Sequence, residues 1–251
     1  MTKFLEKYGA HKILFDYLVI EVTRRCNMKC KHCLRGDAED IDFDPTLLPN
    51  IFKNVSEVGT LTFSGGEPSL NVAAMDATLE YVKAHNIPVY AVFGATNGKD
   101  ISEAFIITLL KWYVYCLECG GDPDVSAVKV SGDPFHETLP KYGTNMALLK
   151  GLGFVYFEED DGYYIINEGR AKELSSSTYK KRELEDFNYT VYGEMRDDEL
   201  LAIMDCNIYV GANGEVKNCC DLSYDDHSHT LGNVNDNSLF DIMLQTDIEE
   251  L

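Results

Sequence analysis

The chain has 251 residues, 45% of them hydrophobic, which suits one large domain, or one domain with an appendage, around a real core. Its formal net charge of −20 sets it against duplex nucleic acid, itself a polyanion, and no run approaches the roughly twenty apolar residues of a membrane span. Met1–Lys12 is charged and lacks the apolar core of a secretion signal, so a cytoplasmic setting is expected, where eight cysteines point to metal or catalysis rather than disulfides.

Residues 1–12 read as a short amphipathic lead-in. Residues 13–23 read as a strand whose β-branched run, Tyr17 to Thr23, delivers the chain to Cys26-Asn27-Met28-Lys29-Cys30-Lys31-His32-Cys33. A helix is expected over 45–55, with Asp44 as N-cap and Pro45 at its first position. A strand over 58–63 then ends in Ser64-Gly65-Gly66-Glu67-Pro68, and a helix follows over 72–85. The next strand, 88–93, leads to Thr96-Asn97-Gly98 and a helix over 102–116. A fourth strand, 124–130, ends in Ser131-Gly132-Asp133-Pro134-Phe135-His136, and a helix follows near 141–149. Strand, polar loop, helix, repeated, gives a parallel sheet covered by helices. Every chemistry-bearing loop falls after a strand, where βα barrels build their active sites.

Thiolate is a soft ligand that selects zinc, Cu(I) or iron–sulfur clusters. The spacing C-x3-C-x2-C suits a four-iron cubane capped at three irons, with the fourth left open for a small molecule. A structural zinc would want a fourth local ligand, and a redox thiol is the remaining reading. Arg24, Arg25, Lys29, Lys31 and Arg35 around the loop read as an offset for cluster and ligand charge rather than as a nucleic-acid patch.

Over roughly residues 13–170 the chain resembles the radical S-adenosylmethionine (SAM) enzymes. C-x3-C-x2-C is that family's signature, so the resemblance implies that Cys26, Cys30 and Cys33 hold a [4Fe–4S] cluster whose open iron takes the amine and carboxylate of SAM. His32 stands at a position usually aromatic and close to the adenine. Gly65-Gly66-Glu67-Pro68 matches the family's GGEP motif at the methionine amine: glycines admit close backbone approach, and Glu67 offers an anionic acceptor to an ammonium. Asn97 resembles a third-strand position near the ligand. Ser131 and Asp133 resemble a fourth-strand motif reaching the ribose or the methionine carboxylate; Asp133-Pro134 also reads as a turn initiator. The fold implied is α/β, a partial (β/α)6-type TIM barrel with a small C-terminal β-hairpin/helix extension.

Past residue 150 the repetition breaks. Asp161-Gly162 between β-rich runs signals a hairpin, and Gly169-Arg170-Ala171 resembles a short element near the last barrel strand of peptide-modifying members. Residues 172–200 read as a polar linker, so the division expected is 1–170 for the barrel domain and 171–251 for linker and extension. Ile208–Val210 and Glu215–Lys217 flank Gly211-Ala212-Asn213-Gly214, a second hairpin signal, and a helix is expected over 239–245. With Cys206, Cys219 and Cys220 this resembles an abbreviated SPASM or twitch extension, which in the family carries auxiliary clusters. No cysteine follows Cys220, so at most one auxiliary cluster is expected, with its fourth ligand sought among Cys116, Cys119, Asp221, His227 and His229.

The resemblance implies reductive cleavage of SAM to a 5′-deoxyadenosyl radical that abstracts hydrogen from substrate. The electron would come from a donor such as flavodoxin or ferredoxin. A peptide or protein substrate leads, for cross-linking, epimerisation or thioether formation. A small molecule or nucleotide, activation of a glycyl-radical partner, and a non-catalytic iron–sulfur redox sensor are the alternatives.

Overall fold

The structure, a computed structural model, describes residues 11–132, 144–157, 165–175, 181–182, 190–196 and 199–246. Strand β1, Lys12–Thr23, is buried along nearly its whole length. That matches its continuous apolar run, because a strand covered on both faces has no polar side to show. Asp44 caps the next element as expected, its carboxylate accepting from the Thr46 N–H at 2.9 Å. The helix expected over 45–55 is shorter: a 3-10 turn at Pro45–Leu47 runs into α1, Leu48–Phe52. Asn54, in the left-handed region at φ 58°, ends it and turns its carbonyl to the Ile13 N–H at 2.9 Å, so that β2 starts already at Val55.

The succession then runs β2 (Val55–Gly65), α2 (Val72–Ala84), β3 (Val89–Thr96), α3 (Glu103–Glu118), β4 (Ala127–Val130), α4 (Thr144–Lys150) and β5 (Val155–Phe157). Asn71 caps α2 and Ser102 caps α3 through their side chains. Strands β6 (Ile165–Ile166) and β7 (Lys181–Arg182) pair with each other in parallel. Strand β8 (Thr190–Arg196) is antiparallel to β9 (Glu199–Val210). Strands β10 (Glu215–Lys217) and β11 (Thr230–Asn233) and helix α5 (Leu239–Gln245) complete the described residues.

The main sheet has nine strands in the order β11-β10-β9-β1-β2-β3-β4-β5, with β8 off this path on β9. Strands β9 and β1 to β5 are mutually parallel, which makes this an α/β fold with a partial barrel whose sheet does not close. Three sequence expectations change. The Asp161-Gly162 step lies outside the described residues, and β6 pairs with β7 rather than with β5. The stretch read as a linker over 172–200 contains β8 and the start of β9. The expected C-terminal hairpin does form, with Val216 opposite Val210, but its first strand is a central member of the main sheet beside β1.

Helices α2 and α3 cover one face. Trp112 of α3 is fully buried, edge-on to Phe63 of β2 at 5.2 Å, and its indole N–H donates to the Met75 carbonyl. Among the described residues no helix is long and apolar enough to cross a membrane.

The hairpin is tied down by Glu215 on β10, whose carboxylate accepts from His227 at 2.6 Å and from Thr230 at 2.5 Å, with Lys217 at 3.5 Å. Burial would raise its pKa, but the Thr230 and His227 hydrogen bonds outweigh that and leave it below its ordinary 4.5. A lowered folded-state pKa stabilises above the unfolded value, and that stability is lost as the pH falls through the folded value. Glu215→Gln is therefore expected to cost a constant amount above about pH 4.5, with the gap to wild type narrowing below it. Denaturant midpoints of both proteins across that range check this.

Candidate cluster and cofactor site

Parallel strands bring the ends of β1, β2, β3 and β4 to one edge, and the loops after β1, β2 and β3 meet there with Ser131. The loop after β1 is pinned from below: the Thr23 hydroxyl donates to Asp42 at 2.6 Å, and Arg24, only 5% exposed, pairs with Glu21 at 3.0 Å and Glu39 at 2.7 Å. The loop after β2 lies directly on that segment, with the Gly66 N–H on the Thr23 carbonyl and the Glu67 N–H on the Arg25 carbonyl, each at 2.9 Å. A Cβ on Gly65 would stand 2.3 Å from the Thr23 oxygen, and one on Gly66 2.4 Å from the Arg25 oxygen. The glycines are thus needed for loop-on-loop contact within the protein, whatever ligand they also face.

Glu67 is 1% exposed. One carboxylate oxygen accepts from the Ser69 N–H at 3.1 Å and the Thr96 hydroxyl at 2.7 Å, and the other from the Asn97 N–H at 2.8 Å. Its carboxylate therefore braces the loop after β2 against the loop after β3. All three partners are neutral. Asn97 extends the brace, donating from its amide to Asn27 at 2.8 Å inside the cysteine loop. The Ser131 N–H donates to the Thr96 carbonyl at 2.9 Å, which brings the end of β4 to the same place.

These loops enclose a cavity of about 260 Å³ lined by Cys26, Cys30 and Cys33 together with His32, Gly65, Gly66, Glu67, Asn97 and Ser131. Asp133 lies outside the described residues. Burial pushes the Cys26 thiol up, a Met28 backbone hydrogen bond opposes this, and Glu67, Cys30 and Cys33 add to it. Three thiols that feel one another across a cavity wall are what a soft-metal cluster requires, and bound iron would reverse the shift by holding them as thiolates. Among the described residues no three His, Cys, Asp or Glu side chains converge on a point that would hold a single ion. A cubane spreads its thiolates more widely than one zinc does, and the donor set fits it.

The sequence shows Arg170 only within the short element Gly169-Arg170-Ala171, with no role at the cysteine loop. Its N–H donates to the Cys33 carbonyl and its guanidinium to the Cys30 carbonyl, each at 3.0 Å, while pairing with Asp37 at 2.7 Å. Gly169, at φ 52°, is required beside it, since a Cβ would stand 2.3 Å from the Leu34 oxygen. Arg170→Ala is expected to fold but to release iron faster to a chelator, at a stability cost of roughly 1.5–3 kcal/mol for a charge-assisted hydrogen bond. Iron retention against time, beside a thermal melt, tests it.

The remaining cysteines separate. Cys206 falls on β9, and its side chain is outside the described residues. Cys219 is buried, its sulfur accepting from the Asp221 N–H at 3.1 Å, and burial pushes its thiol up to about 12. Cys220 is pushed up to about 11 by burial and by Asp221. Cys116 and Cys119, proposed from sequence as partners, sit instead by Ser126 and Tyr90, at the amino ends of β4 and β3, across the sheet from the cluster loop. Sequence could not show this, because α3 carries them back along the full height of the sheet. His227 is engaged by Glu215.

A family model described as a 4Fe-4S single cluster domain matches residues 18–116, which holds all three loop cysteines, Glu67 and Asn97. Curated relatives include GTP 3′,8-cyclases. The Limosilactobacillus fermentum protein is 26% identical over 111 residues, 39% of this chain and 33% of the relative. The Helicobacter pylori protein is 30% identical over 99 residues, 36% and 30% of the two chains. The mitochondrial Arabidopsis thaliana protein is 27% identical over 126 residues, 47% and 29%. The chain thus spans about a third of the length of these relatives. Among solved structures, anSMEcpe with bound AdoMet and Cp18Cys peptide is 14% identical at a TM-score of 0.45, covering 94% of this chain and 81% of its own. Streptococcus suis SuiB with precursor peptide SuiA is 13% identical at a TM-score of 0.47, covering 97% and 67%.

Proposed function

We propose that the protein is a radical SAM enzyme acting in the cytoplasm, with Cys26, Cys30 and Cys33 holding a [4Fe–4S] cluster and Gly65, Gly66, Glu67, Asn97, Ser131 and Asp133 around SAM. The observation that carries this reading is Glu67: a carboxylate in the cavity wall that holds three thiols, buried against neutral donors only. A carboxylate has about four lone-pair sites, and three are used, which leaves one toward the ligand's ammonium. With an electron from a flavodoxin- or ferredoxin-type donor, cluster and SAM together supply a 5′-deoxyadenosyl radical for hydrogen abstraction. The chain's own residues orient and seal. Glu67 and Asn97 fix three loops relative to one another, Arg170 closes the cysteine loop, and Tyr224 from the C-terminal part closes the cavity. The division at 170/171 is proposed as a cofactor-binding part and a C-terminal part that shares the main sheet through β9.

A peptide or protein substrate is the favoured reading, because Leu222 and Tyr224 of the C-terminal part bond the cysteine loop at Arg35. The GTP 3′,8-cyclase relatives support a nucleotide as the second reading. Anaerobically reconstituted protein with dithionite and SAM is expected to form 5′-deoxyadenosine. None from fully cluster-loaded protein would favour a redox sensor.

A further inference from the structure

A second cavity, about 440 Å³, opens behind the cysteine loop. It shares His32, Cys33, Ser64 and Arg35 with the first, and Asn207, Cys220 and Asp221 form its far side. Arg35 stands in the wall common to both. Its guanidinium lies 4.6 Å over the Tyr209 ring and donates to the Leu222 carbonyl at 2.7 Å and the Ser64 hydroxyl at 3.4 Å. None of these partners is an anion, and Arg35 forms no ion pair with any described residue. Glu21, whose field it feels, is already taken by Arg24 at 3.0 Å and the Ala212 N–H at 2.8 Å.

Arg35 is half-buried, and a guanidinium partly withdrawn from water gains from a counter-charge. Its planar fork of five N–H donors matches carboxylate and phosphate oxygens. The two contacts to neutral oxygens and the stacking on Tyr209 fix the fork and leave donors unspent. We propose that the second cavity is the substrate chamber and that Arg35 anchors an anionic group of the substrate, a carboxylate or a phosphate, beside the cofactor cavity. This rests on the radical SAM reading above. The basic residues near the cysteines otherwise read as offsets for cluster charge, but Arg35 also reaches the C-terminal part, over the Tyr209 ring and onto the Leu222 carbonyl.

The test uses cluster-loaded protein with SAM, melted at fixed ionic strength while chloride is exchanged for succinate or for inorganic phosphate. Wild type, Arg35→Gln and Arg35→Lys are compared, so the general stabilisation by excluded anions cancels. Wild type is expected to rise in Tm with at least one anion, Arg35→Gln to bind it about tenfold or more weakly, and Arg35→Lys to keep part of the response. A stronger response to succinate assigns a carboxylate, and one to phosphate a phosphate ester. Equal responses in wild type and Arg35→Gln, or none in wild type, overturn the proposal. So does an Arg35→Gln protein that loses iron or shifts the cluster's reduction potential with its anion response intact, since the guanidinium then serves the cluster. Failure of the radical SAM reading shows separately, as absent 5′-deoxyadenosine from wild type.

Discussion

Cys30→Ala is expected to remove the iron bound at the N-terminal loop and to drop SAM cleavage to background, with little change in the melt of the metal-free protein. The backbone of that residue carries the structural work: its carbonyl accepts from the Cys33 N–H at 3.2 Å and from Arg170 at 3.0 Å, and both bonds survive the substitution. Its half-exposed thiol leaves no sizeable void when cut back. Loss of the cluster with retention of the fold would therefore separate ligation from packing. Cleavage that persisted would remove Cys30 from the cluster. The Cys26/Cys30/Cys33→Ala variant, assayed for iron and sulfide, carries the test to the C-terminal part. A cluster's worth of iron remaining there would belong with Cys206, Cys219 and Cys220, and its absence would leave the hairpin as a metal-free cover.

The site was more legible in the sequence than the sheet around it. Cys26 to Cys33 and Gly65 to Glu67 are short, contiguous and preceded by apolar β-branched runs, so local chemistry and local structure point the same way. The hairpin at Asn213-Gly214 was legible for the same reason. What it pairs with was not: Tyr17 lies beside Asn207 across 190 residues, and no local signal fixes a parallel register over that span. Strand β8 reads as linker in the sequence because Glu194 and Arg196 make it polar, which is the ordinary dress of a sheet edge. Arg170 was visible only as part of a three-residue motif. Its work consists of contacts to carbonyls about 140 positions earlier, and those appear only when the chain is folded.

Glu67→Gln is expected to fold and load its cluster yet bind SAM at least about tenfold more weakly, whereas Glu67→Ala is expected to lose roughly 3–5 kcal/mol of stability. The two substitutions divide the residue's work. Alanine strands the Ser69 N–H, the Thr96 hydroxyl and the Asn97 N–H in a site 1% exposed, and each buried donor left unpaired costs about 1–3 kcal/mol before relaxation. Glutamine keeps one oxygen for Ser69 and Thr96 but turns an amide N–H₂ toward the Asn97 N–H, so one brace bond is lost and the negative charge with it. If the carboxylate only bracketed the loops after β2 and β3, SAM affinity would follow stability, and glutamine would bind nearly as wild type. If it also meets the ligand's ammonium, affinity falls in a protein that still melts cooperatively, because a charge-assisted hydrogen bond is about twice as strong as a neutral one. Equilibrium dialysis of SAM against the cluster-loaded variant, set beside its thermal melt, decides between the brace alone and the brace that also binds.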